Sequence, residues 1–179
     1  MPERGPGAPR GGHPGEPRFI VDTMLGDLAR WLRLLGYDTY YSSRLDDWEI
    51  LRRAEREGRI IVTMDRGLAS RARRRGLRVV RIASFGAAER LAELALHVPV
   101  RLEADPSRSR CPECGGPLRP VRDKEKLRGR VPPAALEAYS VFYVCERCGR
   151  VYWEGSHWAN IRRVLREARE MLARAQRGG

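Results

Sequence analysis

Apolar and polar positions change period at almost every turn signal between residues 18 and 100. The runs "RFIVD" (18–22), "YDTYY" (37–41), "RIIVT" (59–63) and "LRVVRIA" (77–83) are short and rich in β-branched and aromatic residues, and each predicts a strand. Between the first two, Met24, Leu25, Leu28, Trp31, Leu32 and Leu35 recur at helical spacing until Gly36 ends the run. "DDWEILRRAEREG" (46–58) starts on Asp46 with Glu49 three residues later, a capping-box arrangement, and stops at Gly58. Two more helices are predicted, near 67–75, closed by Gly76, and over 86–98. Strand and helix alternating at this spacing imply right-handed crossovers and a mostly parallel sheet.

Beyond "EADPSRSR" (103–110), the expected hinge, Pro, Gly and Cys rise and regular periodicity fades. Helical spacing returns with Ile161, Val164, Leu165, Ala168, Met171, Leu172 and Ala175 on one face and arginines and glutamates on the other. No internal repeat is present. The fold class expected is therefore α/β: a mostly parallel sheet flanked by helices, a small cysteine module and a C-terminal helix. The boundaries read as a Pro- and Gly-rich disordered tail at 1–17, an α/β domain at 18–103, the cysteine module at 104–158 and an amphipathic helix at 159–179. His13 falls in the tail.

Charge narrows the partner. The formal net charge is +12, with Lys124 and Lys126 the only lysines. Arginine for lysine also fits a G+C-rich coding sequence, but acids do not balance the arginines, and the excess favours a polyanion such as RNA, with DNA possible. No run of eighteen apolar residues occurs and the first seventeen residues lack the apolar core of a signal peptide, so no membrane span and a cytoplasmic location are expected. The charged face of the last helix offers no large apolar interface for self-association.

Candidate chemistry comes from acids and cysteines. In a parallel sheet, residues just past the strand ends gather on one edge. Asp22 ends the first strand, Asp46 and Asp47 precede the second helix, and Asp65 follows the third strand within "VTMDRG". Each alone could be an ordinary helix cap or turn residue. Together on one rim, such carboxylates would repel unless a hard cation such as Mg²⁺ or Mn²⁺ neutralised them, and such an ion can activate water against a phosphodiester. Arg30, Arg33 and Arg66 are placed to hold flanking phosphates, and "RARRRG" (71–76) adds a basic helix behind Asp65. No P-loop or Ser-His-Asp pattern appears.

Cys111, Cys114, Cys145 and Cys148 form two CxxC pairs with zinc spacing; four thiolates would close a tetrahedral Zn²⁺ site of structural rather than catalytic type. Tyr152, Trp153, His157 and Trp158 follow the second pair. They could stack on RNA bases, but packing the module against its neighbour is the more ordinary use of such rings.

Five motifs in order, "FIVDTMLGDLARWLRLLGYDT", "DDWEIL", "GRIIVTMDRGLA", "RCPECGGPL" and "CERCGRVYWEGSHW", resemble the Mut-seven C-terminal RNase domain family over residues 18–165. The resemblance implies a PIN-like nuclease core followed by a zinc ribbon, and a divalent-metal-dependent ribonuclease in which Asp22, Asp65 and Asp47, with Asp46 as rival, are the acids. "RIASFGA" after the fourth strand departs from the wider PIN pattern, because it supplies no fourth carboxylate and Glu89 lies far along the chain. Two other readings follow: a catalytically silent RNA-binding or ribosome-associated protein, and a protein-interaction adaptor built on the ribbon and last helix.

Overall fold

The computed structural model describes residues 14–179. Strands β1 (Phe19–Val21), β2 (Thr39–Tyr40), β3 (Ile60–Thr63) and β4 (Val79–Arg81) form one parallel sheet in the order β2-β1-β3-β4. Helices α1 (Gly26–Leu34), α2 (Asp47–Glu57), α3 (Arg66–Arg74) and α4 (Ala87–His97) cross over between and after the strands. Successive strand side chains serve opposite faces, as the pleat requires. Phe19, Val21, Ile60 and Val62 pack with Leu28 and Leu32 of α1 and Leu91 and Leu94 of α4, whereas Ile20 and Ile61 pack with Ile50 and Leu51 of α2 and Leu68 of α3. Covering both faces explains why β1 and β3 read as unbroken apolar runs.

The cysteine module is a three-stranded antiparallel sheet of β5 (Leu118–Val121), β6 (Phe142–Cys145) and β7 (Val151–Tyr152). Between β5 and β6 the chain adds a single-turn helix, Lys124–Leu127, and the short α5 (Pro133–Ala138), elements that fading periodicity did not suggest. Val121, Leu127, Val131, Phe142 and Val144 give this insertion a small core of its own. Helix α6 (Trp158–Arg177) then returns to the first domain, burying Val164, Leu165 and Ala168 in the same core as Leu91 and Leu94 of α4. The last helix is thus part of the α/β core and not an appendage.

Most of the expected tail lies outside the described residues. Glu16, counted in it, instead pairs with Arg101 at 2.7 Å and Arg108 at 3.0 Å. Among the described residues no helix is long and apolar enough to cross a membrane.

The amino edge of the sheet is closed by a guanidinium. Arg59, 5% exposed, donates to Phe19 O at 3.1 Å, to Asp38 Oδ1 at 2.9 Å and to Glu57 Oε2 at 2.5 Å, and Arg18 Nε reaches Asp38 Oδ2 at 3.1 Å. These residues immediately precede β3, β2 and β1, so one network fixes three strand starts. Burial pushes the Asp38 carboxyl up, but the Arg59 and Arg18 donors outweigh it and hold it below its usual range. A depressed carboxylate stabilises fully above its unfolded value and loses that contribution as pH falls through the folded one. Asp38→Asn is therefore expected to cost about 2 kcal/mol at neutral pH. The gap between the two proteins should narrow below about pH 4, as urea denaturation at several pH values would read directly.

Candidate functional site

The carboxyl edge of the sheet carries the predicted acids, and local backbone chemistry explains where each sits. Asp22 follows β1, caps the turn Thr23–Leu25 by accepting Thr23 N–H at 2.7 Å, and is only 7% exposed. Its second oxygen, Oδ2, accepts the hydroxyl of Thr63, the last residue of β3, at 2.7 Å. The Thr63 oxygen in turn accepts the backbone N–H of Asp65 at 2.9 Å. One hydroxyl thus connects Asp22 to Asp65 across neighbouring strands. Asp65 itself is the N-cap of α3, accepting Leu68 N–H at 2.5 Å through Oδ1, and is exposed. It is a cap and a rim residue at once.

The second-helix acids stand apart from that pair. Asp46 caps α2 through Glu49 N–H at 2.8 Å, and Asp47, exposed, is ion-paired to Arg71 of α3. Among the described residues only the four cysteines bring three or more metal-ligand side chains within reach of one ion. Asp22, Asp47 and Asp65 are not gathered that closely.

The arginines divide differently from expectation. Arg66 opens α3 beside Asp65, exposed and without an ion pair or side-chain hydrogen bond among the described residues. Arg30 pairs with Glu113 of the first cysteine knuckle at 3.1 Å. Arg33 is 4% exposed and gives its donors to Thr39 O at 3.1 Å and to Pro112 O and Glu113 O at 3.0 Å each. Instead of facing solvent to receive a phosphate, it is a buried tie between α1, β2 and the knuckle. Helical periodicity cannot distinguish such an arginine from a surface one.

Sequence reasoning passed over three residues here. Thr63 stood in a quoted T-x-D motif, yet its hydroxyl is the link just described. Asp27, in the first turn of α1, accepts Arg90 Nη1 at 2.7 Å through both oxygens. After β4 the carboxylate that arrives is neither local nor Glu89: Glu93 accepts the N–H groups of Ala83 and Ser84 at 3.0–3.1 Å and so ties that loop to α4.

The cysteines form the second centre. Their ligand atoms all lie within 4.8 Å of one another, with Cys111 and Cys148 sulfurs 3.7 Å apart and those of Cys114 and Cys145 3.4 Å apart. Tetrahedral Zn–S bonds of ~2.3 Å place sulfurs ~3.8 Å apart, so the donor set fits a metal such as Zn²⁺. Each knuckle aims N–H groups at sulfur: Gly116 at Cys114, and Arg147 and Cys148 at Cys145, all at 3.4 Å. Gly115, at φ +73°, is needed in the first, where a Cβ would also stand 3.1 Å from Arg33 Nε. Burial raises the Cys145 thiol, but the Cys148 and Arg147 N–H donors outweigh it and bring it down to about 7, whereas burial drives Cys114 up to about 12. A bound cation would displace the protons the set otherwise shares. Tyr152 Oη lies 3.1 Å from Cys111 Sγ, and burial beside that sulfur raises its pKa, keeping it a donor.

The aromatic residues after the second pair mainly pack. Trp158 is buried and donates to Trp153 O at 3.2 Å, and Trp153 lies 6.0 Å from the ring of Phe142. With Trp31, Leu34 and Tyr143 they wall a cavity of about 290 Å³ between α1, the ribbon and α6. His157 lines it from an exposed position.

A parallel α/β domain with linked acids on its carboxyl edge, carrying a four-cysteine ribbon and closed by its last helix, is the class these features define. The model of the Mut7-C RNAse domain matches residues 17–165, and the chain belongs to that family. The family points to a ribonuclease-type function with RNA as substrate. No curated protein and no solved structure matches the chain.

The purified protein is expected to carry one tetrahedral metal per chain by elemental analysis. Cys111→Ser with Cys148→Ser should abolish it, and Tyr152→Phe should weaken it about tenfold in chelator competition.

Proposed function

We propose that the protein is a divalent-metal-dependent ribonuclease that hydrolyses RNA phosphodiester bonds at the carboxyl edge of its parallel sheet. The observation that carries this reading is Asp22. It is nearly buried, its oxygens rest on one amide and two hydroxyl donors, and among the described residues no arginine or lysine pairs with it. A cation beside it would neutralise the charge that burial disfavours. Asp65, linked through Thr63, keeps Oδ2 free of its capping bond, so both residues fit a hard oxygen-binding ion such as Mg²⁺ or Mn²⁺. When bound, such an ion supplies charge neutralisation at the phosphate and a more acidic water.

The chain's own residues supply the rest. Thr63 fixes the orientation of Asp22, and the α3 N-terminus together with Arg66 draws a phosphate toward Asp65. Asp47 is the third acid of the proposal, with Asp46 its rival; Asp47 contributes after Arg71 is drawn away by the incoming phosphate backbone. Arg30, on α1, is paired with Glu113 of the first knuckle and stands toward the ribbon. The cysteine ribbon, with Zn²⁺, is structural.

A second reading is favoured by the Asp47–Arg71 pair: an RNA-binding protein with a silent rim. Salt-sensitive RNA binding without cleavage would select it. On the first reading, single-stranded RNA is cut with Mn²⁺, and Asp22→Asn or Asp65→Asn lowers the rate at least about 100-fold. Thr63→Val is expected to cost about tenfold through the misplaced carboxylate. Cleavage that survives the Asp22→Asn, Asp65→Asn double variant would remove the site from consideration.

A further inference from the structure

Four large apolar side chains stand exposed among the described residues: Met24, Trp48, Phe85 and Leu96. Scattered singly, such residues are ordinary. Three of these are not scattered. Met24 (68% exposed) lies two residues past Asp22, Trp48 (59%) beside Asp47, and Phe85 (80%) in the loop before α4. They ride on the connections leaving β1, β2 and β4, the same edge that carries the acids.

Bonds tie the connections that carry Trp48 and Phe85 to the segment around Asp65. Arg90 donates to Ser84 O at 3.0 Å and lies 3.7 Å from Met64 Sδ, so the Phe85 loop is fixed against the residue preceding Asp65. Asp47, next to Trp48, is paired to Arg71 of the helix that Asp65 caps. Trp48 stands at the start of α2, which packs on β1 and β3, and Phe85 on the loop from β4 to α4. The Arg52 guanidinium lies over the Trp48 ring at 4.7 Å, bracing it from one side, and unpaired Arg66 opens α3 beside Asp65 on the same edge.

From this juxtaposition we infer that Trp48, Phe85 and Met24 form a stacking platform for unpaired bases of single-stranded RNA beside the phosphodiester at Asp22 and Asp65. The position of the phosphate rests on the ribonuclease reading. The apolar side chains are uncharged and exposed, Arg52 lies on one of them and Arg66 stands on the same edge, and a base offers a π-face whatever its identity. Paired bases keep their faces stacked inside a helix and cannot use the platform, so the surface selects unpaired over duplex RNA with little sequence preference.

Fluorescence anisotropy tests this on the full chain with no Mg²⁺ or Mn²⁺ added. The probe is a labelled twelve-nucleotide oligoadenylate, alone or annealed to oligouridylate. The single strand is expected to bind at least about tenfold tighter than the duplex. Trp48→Ala and Phe85→Ala should each lower its affinity about tenfold while leaving duplex binding in place. Trp48→Phe and Phe85→Tyr should retain it. Both positions are exposed, so melting temperatures should stay at the wild-type value. The platform is refuted if the double alanine variant binds the single strand like the wild type, or if single-strand and duplex affinities fall in parallel. Ring-dependent binding without Mn²⁺-dependent cleavage would instead refute the ribonuclease reading and leave the platform standing.

Discussion

Asp22 is a carboxylate almost wholly withdrawn from water, held by hydroxyls and an amide and by no positive side chain among the described residues. Isolated ionised groups in such surroundings are unfavourable, and proteins keep them only where something else neutralises them. The surrounding architecture serves this position. β1 ends there, β3 delivers Thr63 from the neighbouring strand, and Asp65 follows within two residues to begin α3. The acid stands on the edge where parallel strands open their loops to ligands.

The opposite edge is closed. Arg59, Asp38, Arg18 and Glu57 saturate one another and the neighbouring backbone, and Arg33 does the same between α1 and the ribbon. Buried arginine is therefore a building material here. The +12 formal charge is not all at the surface: Arg33 is buried, and Arg59 and Arg90 are matched by Asp38 and Asp27. The hollow of about 900 Å³ between β2, the end of α2 and the first knuckle is walled by the inward Arg33 and Arg59 together with Arg18, Arg53, Arg56, Arg110 and Arg147, against Asp38 and Glu57.

Much of the fold was legible in the chain because local and global preferences agree. β-branched runs became the four parallel strands, Asp46 and Glu49 marked the start of α2, and paired CxxC motifs converged as spacing required. Long-range chemistry was hidden. Nothing in the periodicity of α1 separates Arg33, folded onto three carbonyls, from Arg30 at the surface. The pairing of Asp47 with Arg71 depends on where two helices start, and the service of Glu93 to the loop after β4 depends on how α4 lies. The amphipathic stripe of α6 announced that something would cover it without saying that α4 would. Of the acids, Asp22 and Asp65 are joined as the strand-end rule suggests, through a threonine whose role only its partners reveal.

The return of α6 onto α4 has a topological consequence. Leu91 and Val164 share one core, yet between them the chain makes the entire cysteine ribbon. The ribbon is an interposed loop in a single cooperative body, and the geometry of its knuckles sets where α6 begins its path back. A metal held by the knuckles would thereby be joined, through chain connectivity, to the consolidation of an aliphatic interior.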